Sequence, residues 1–312
     1  MQRILMRRFV LAVLLILAAS AALFALISAA PGNVAALIAE RAAGAGADAA
    51  MIARIEDELG LNDPLPVRYL AWFSNAITGD FGISLRTGKL ISEEFAERIP
   101  VTGLLLGYGG LIALVVSVGA GLGGAASNGG VLDKILHGGA LLGASTPNFF
   151  VAALLVLVFS VSLRWLPSFG TSGASSWVLP SLTIALFPAS VLSRVVRVNL
   201  QETMSRPFAT TGFAKGLTRG QVLRNEALPN IAVPYLTTFG AQFTLMTIGA
   251  IVVETVFALR GVGSFFIDAI RFRDFIGMQA SLFLLVVFFV SVNFLVDMLC
   301  MFIDPRLRRA EG

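Results

Sequence analysis

The sequence predicts an all-α membrane protein with six transmembrane helices and a helical insert between the first two. Three observations carry that prediction. The 312 residues are 56% hydrophobic and only 13% charged, against about 25% charged in soluble domains. Six stretches, 9–39, 99–132, 135–163, 165–193, 227–253 and 275–296, contain no Asp, Glu, Lys or Arg, and each exceeds the roughly 20 residues that cross a bilayer as a helix. The runs are long and continuous. A lipid-facing barrel would show short alternating segments instead, and in hydrocarbon a helix satisfies its own backbone.

The first run lies behind Arg3, Arg7 and Arg8 and is rich in alanine, so it imitates a secretory signal. It is longer than a signal's apolar region and belongs to a chain that is membrane-embedded throughout, so it is expected to stay as a span. Segment 31–100 is too long for a plain connector. Asp48 is placed to cap a helix over 51–59 that Gly60 stops. Pro64 and Pro66 introduce a second helical run, 67–77, closed by Gly79-Asp80-Phe81-Gly82. These signals predict an ordered cap in place of a solvated tether. The later spans are expected at about 101–126, 136–160, 177–197, 232–255 and 279–301. Small residues at Gly119, Gly121, Gly123, Gly124, Gly139 and Gly143 predict close helix approach, and Ser145-Thr146-Pro147 and Phe187-Pro188 predict kinks.

Basic residues orient the bundle. With both termini in the cytoplasm, the inner segments hold Arg3, Arg7, Arg8, Lys134, Arg306, Arg308, Arg309 and a basic loop, whereas the short outer loops hold only Arg164, Arg260, Arg271 and Arg273. The net charge of +4 therefore reflects topology, and nothing further supports nucleic-acid binding. Cys300 is the single cysteine, so no intramolecular disulfide is possible.

The loop 198–230 is the most informative polar stretch. Flanked by Arg197, it carries Arg206, Lys215, Arg219 and Arg224 between two apolar spans. Pro207 fits the first turn of a helix over 208–215, because its missing N–H costs nothing there. Gly216 is placed to stop that helix in a left-handed conformation. Thr218 and Gln221 match a capping box opening a second helix over 219–228, and Pro229 and Pro234 are expected to reset the chain for the next span. The result is a glycine-jointed helical knob able to enter a groove on a partner; a solvated loop with positive-inside charges is the plainer alternative.

The chain resembles the type I ABC importer permeases of the dipeptide/oligopeptide/nickel subfamily over essentially its full length. The hairpin TTGFAKGLTRGQVLRNEALPNIAVP is similar to the permease coupling motif, with Thr210-Thr211-Gly212 in place of its EAA letters and Gly216 and Leu228-Pro229 at the matching positions. Ala214-Lys215-Gly216-Leu217 is like the subfamily's own version. Pro31-Gly32, Glu58-Leu59-Gly60-Leu61, Gly79-Asp80-Phe81-Gly82, Ser145-Thr146-Pro147, Gly261-Val262-Gly263, Arg273-Asp274 and Asp304-Pro305-Arg306 match in order and spacing. The resemblance implies a stub and first span at 1–30, a periplasmic insert at 31–98, a type-1 transport domain at 99–304 and a cytoplasmic tail at 305–312. It implies that Phe208, Gly212, Ala214, Lys215, Gly216 and Leu217 contact a cytoplasmic ATPase. It also implies a homologous second permease forming a heterodimer, two ATPase subunits that bind ATP and Mg, a periplasmic solute-binding protein, and residence in the bacterial inner membrane.

The chain itself offers no energy source. It contains no G-x-x-x-x-G-K-[ST] phosphate cradle, and Gly212, Lys215 and Gly216 lack its spacing. His137 and Cys300 stand alone, so neither metal-ligand spacing nor a nucleophilic triad is legible, and no catalytic or metal residue is expected. Intramembrane ionisable groups are functional candidates by default. Glu254 is expected at a gate or as a helix-pairing group, with Arg260, Arg271 or Arg273 as partner. Asp297 is expected near the opposite end of the last span. Gln242, Thr244 and Thr247 either line a path or bond between helices.

The leading expectation is one permease half of an ATP-driven importer for dipeptides or oligopeptides, with nickel chelates, glutathione, opines or sugars as other cargoes of the same machinery. A secondary transporter would need paired repeats and midplane charges, which the sequence lacks. A channel subunit without pumping is the third class.

Overall fold

The apolar runs become helices because backbone groups in hydrocarbon must bond within their own segment. The computed structural model describes residues 2–29, 34–43, 48–58, 60–127 and 129–303. Pro31, Gly32, Leu59 and the tail 305–312 lie outside the described residues, as does the Phe208 side chain. Among the described residues there are helices and no named strand.

Helix α1 (Gln2–Ser28) is the first span. The insert follows as α2 (Val34–Ala43), α3 (Ala49–Glu58) and α4 (Leu65–Ile77). Asp48 caps α3 through the Met51 amide at 2.8 Å, and Gly60, at φ +61°, ends it. Helix α5 (Ile91–Ser127) runs 37 residues and passes through Pro100. Glu93 and Glu94 occupy its first turn, where acids complement the helix dipole.

The span expected at 136–160 is not one helix. It is α6 (Val131–Ser145) and α7 (Asn148–Leu155), the latter continued by a π-helical stretch Val156–Ser162, and the two halves are bent through 110°. The cause is local. Thr146 precedes Pro147 and sits in extended geometry, φ −96° and ψ 125°, as a residue before proline prefers. Pro147 also donates no N–H. The hydroxyls of Ser145 and Thr146 fold back onto the carbonyls of Leu141 and Leu142 at 2.9 and 2.6 Å, so polar groups at the break are bonded.

Helix α8 (Val178–Met204) absorbs Pro188 without a break. The polar hairpin contributes α9 (Pro207–Ala214), α10 (Arg219–Val222) and a π-helical turn Leu223–Ala227. This turn runs directly into α11 (Leu228–Val256). Pro229 and Pro234 were expected to reset the chain here. Instead Pro229 occupies the first turn of α11 and Pro234 lies inside it. The wider π turn just before Pro229 adjusts the backbone register where that ring would otherwise press on the preceding carbonyl. Helix α12 (Val262–Arg271) is short, and α13 (Phe275–Ile303) is the last span. Among the described residues, five helices are long and apolar enough to span a bilayer, with the α6–α7 pair as a sixth.

Helices α5 and α8 pack most extensively. A Cβ at Gly121 would lie 2.5 Å from Val196 Cβ, so only glycine permits that approach. Gly119 and Gly139, expected to serve likewise, face open space. Among the described residues, the larger apolar clusters organise the bundle. Leu105, Leu179, Ile184, Met246, Val253 and Phe257 form the centre. Leu192, Val196, Leu200, Ala227 and Tyr235 form the hairpin end. Ile91, Phe95, Val262 and Phe265 form the opposite end. Helix α1 packs on α13 through Phe9 and Phe294, and Arg8 pairs with Asp297 at 2.5 Å.

Candidate functional site

At the hairpin end, α8 stops at Ser205, whose amide bonds the Glu202 carbonyl at 3.1 Å. Arg206 pairs with Glu202 at 2.7 Å on the surface. Pro207 then opens α9 as expected from its fixed φ. Ala209 and Val222 are fully buried, and a Cβ on Gly212 would lie 3.1 Å from Val222 Cγ2. That contact sets α9 tightly against α10. Gly216 adopts φ +81°, and the Leu217 amide reaches the Gly212 carbonyl at 3.2 Å, the bond of a Schellman stop. The Thr218 amide donates to Gln221 Oε1 at 2.8 Å, and the Gln221 amide to Thr218 Oγ1 at 3.4 Å. The capping box is therefore reciprocal. Ala227 and Leu223 anchor the hairpin against Leu200 and Tyr235. Ala214, Lys215 and Gly216 are left exposed at its tip, with Leu217 half-buried.

One neighbour of this hairpin escaped the sequence reading. Asp133 accepts from Arg197 Nε at 2.5 Å and Nη2 at 2.8 Å, and from the Gly129 amide at 3.0 Å. This two-pronged clasp ties α6 to α8 above the knob. Arg197 stood out only as a basic residue, and Asp133 gave no sign of a partner 64 residues away. Arg197→Lys should lower the melting temperature of the detergent-solubilised protein, because an ammonium cannot hold both oxygens as a planar fork does. Thermal unfolding of the purified variant checks this.

At the opposite end, Glu254 is fully buried. It was expected to pair with Arg260, Arg271 or Arg273, yet among the described residues none of these bonds it. Its Oε1 accepts the Thr102 hydroxyl at 2.6 Å and its Oε2 the Ser264 amide at 2.8 Å. Thr102 Oγ1 in turn accepts the Val262 amide at 2.9 Å. Glu254 and Thr102 together cap α12, satisfying amides that a helix start leaves open. The Gly261-Val262-Gly263 stretch now has a reason. A Cβ at Gly261 would collide with the Glu254 carboxyl, and one at Gly263 would lie 2.8 Å from Ile251 Cα. Asp274, also fully buried, caps α13 through the Gly277 amide at 2.9 Å and accepts the Ser84 hydroxyl and the Arg86 amide. It pins loop 80–90 to the last span. Beside these caps opens a cavity of about 880 Å³ whose lining includes Arg86, Glu94, Arg98, Glu254, Arg260 and Arg271. Arg98 pairs with Glu94 at 2.7 Å and lies over the Phe265 ring at 4.9 Å.

The remaining candidates lie along α11. Thr244 is buried and bonds the Gly240 carbonyl of its own helix at 3.0 Å. Thr247 is also buried, and among the described residues its Oγ1, like Gln242 Oε1, has no hydrogen-bond partner. Thr244 and Thr247 border an apolar cavity of about 390 Å³ between α1, α11 and α13. No group of His, Cys, Asp or Glu among the described residues has the arrangement of a metal site.

Comparison with known proteins places these two ends in a family. Residues 114–309 match the model described as binding-protein-dependent transport system inner membrane component, and residues 1–105 match its N-terminal companion. The chain is 35% identical over 294 residues to the probable peptide ABC transporter permease protein y4tP of Sinorhizobium fredii, covering 92% of this chain and 93% of that one. It is 34% identical over 278 residues to the glutathione transport system permease protein GsiC of Escherichia coli K12, covering 89% and 90%. The fold is similar to that of the MetNI methionine ABC transporter in inward-facing conformations, with a TM-score of 0.58 at 15% identity over 69% of this chain and 98% of that one. The chain belongs to the binding-protein-dependent transport system inner membrane components, the permease subunits of ABC importers.

Proposed function

We propose that this chain is one half of the translocation pathway of an ATP-driven importer for peptides or peptide-like solutes. The observation that supports the reading best is the hairpin. Pro207, Gly216 and the Thr218–Gln221 box fix two short helices into a knob whose exposed tip carries Lys215 beside Gly216. ATP and Mg then bind on two separate cytoplasmic ATPase subunits, and the tip residues Ala214 to Leu217, with Phe208 and Gly212, receive their motion. A homologous permease completes the pathway, and a periplasmic solute-binding protein delivers the cargo. Transport domain 99–304 sits in the bacterial inner membrane, with insert 31–98 on its periplasmic side and both termini cytoplasmic, an orientation supported by the basic residues at the hairpin end.

Peptide and glutathione permeases are relatives of nearly equal identity, which favours short peptide-like cargo over nickel chelates, opines or sugars. The test is uptake of labelled di- and oligopeptides and of glutathione into vesicles holding the assembled transporter. Uptake should require ATP and the ATPase subunits. Accumulation driven by an ion gradient without the ATPases would point to a secondary transporter, and downhill flux alone to a channel.

A further inference from the structure

Helix α4 is apolar nearly all round, yet Ala76 is its only fully buried residue. A helix of that composition needs cover, from protein or from membrane. One face has its cover. Tyr69, Trp72, Phe73 and Ala76 turn toward α1 and α13, where Trp72 meets Phe24 and Phe283 at 5.6 and 5.3 Å and Phe73 meets Phe283 at 6.1 Å. The opposite face, at positions i, i+3, i+7 and i+10, presents Val67, Leu70, Ser74 and Ile77, with Val67 51%, Leu70 64% and Ile77 65% exposed.

The depth of the helix says what covers that second face. The Tyr69 hydroxyl bonds Ser20 Oγ at 2.9 Å and the Leu17 carbonyl at 3.3 Å. Ser20 lies eight residues before the end of α1 at Ser28, about 12 Å along the helix axis. The helix therefore lies alongside the final turns of a bilayer-spanning helix and below its end. Its small hydroxyls are turned inward, Ser74 to the Ala71 carbonyl at 2.8 Å and Thr78 to that of Asn75 at 2.8 Å, the arrangement a water-poor setting requires. Arg68 and Asn75 share the flank between the two faces, and Arg68 lies 5.9 Å over the Phe24 ring, so its stem can lie on apolar surface while its charge reaches headgroups. Helix α3 offers the contrast: it has no buried residue, and Arg54, Asp57 and Glu58 are exposed.

We propose that α4 is an interfacial membrane helix whose Val67–Leu70–Ile77 face rests in the acyl region of the leaflet at the C-terminal end of α1. The bilayer thereby holds the loop 79–90, and through Ser84 and Asp274 the start of α13, at a set height. The test uses the complete transporter in phosphatidylethanolamine–phosphatidylglycerol vesicles with single bimane labels on Leu70→Cys, Ile77→Cys and the control Asp57→Cys, each in a Cys300→Ser background. A nitroxide-labelled lipid should quench positions 70 and 77 at least twofold more than iodide does, with the order reversed at 57. Val67→Cys provides a second reporter if either variant assembles poorly. Stronger iodide quenching at 70 and 77 would mean a solvated helix and overturn the proposal. Protection from both quenchers would mean that another protein chain covers the face, and would overturn it equally.

Discussion

Glu254→Ala should destabilise the protein by about 3 kcal/mol, because it strands buried donors that cost ~1–3 kcal/mol each. The Ser264 amide at 2.8 Å and the Thr102 hydroxyl at 2.6 Å both lose their acceptor. Thr102 also accepts the Val262 amide, so its rotation would loosen a second contact and free the start of α12. Thermal unfolding in detergent should show a clear drop in midpoint. Glu254→Gln keeps one oxygen and should fall between wild type and alanine. Gly261→Val attacks the same cap from the other side, since its Cβ would enter the space of the carboxyl, and should also lower the midpoint. An unchanged midpoint in Glu254→Ala would mean that α12 is held by apolar contacts of Val262 and Phe265 alone.

Gly216→Val should leave the spans folded and abolish transport. At φ +81° a side chain costs about 1–2 kcal/mol, and a β-branched one is the worst choice. Among the described residues, nothing beyond its chain neighbours lies within 4 Å of a Cβ placed there, so the strain acts on backbone and stays within the hairpin. The expected result is a melting temperature within a few degrees of wild type, ATP hydrolysis that persists, and uptake reduced at least tenfold in reconstituted vesicles. Unchanged uptake would remove the hairpin from the coupling route. Gly216→Ala relaxes the steric demand and should be intermediate.

How legible was this molecule? The caps were read residue by residue. Asp48, Gly60, Pro207, Gly216 and the Thr218–Gln221 box all act as their local chemistry predicts. Each involves groups at most a few residues apart, so the sequence holds both partners in one window. The break at Thr146-Pro147 was legible as a kink but not as a bend of 110°; its angle depends on how α7 packs against α8 and α11. The Glu254 carboxylate was half legible. Its position in the fifth span marked Glu254 as costly to bury, and nearby arginines were the obvious partners. Helix α12 offered amides instead, and a helix N-terminus leaves no signature in a list of charged residues.

By itself, the sequence determined the class of protein and the local starts and stops at Asp48, Gly60, Pro207 and Gly216, because hydrocarbon admits only self-bonded segments and because proline and glycine act on their immediate neighbours. Only the tertiary structure decided which polar groups meet: Asp133 with Arg197, Arg8 with Asp297, and Glu254 with Thr102 at a separation of 152 residues. Those pairings follow from how helices pack, and packing depends on many weak apolar contacts summed across the whole bundle, which no single window of sequence contains.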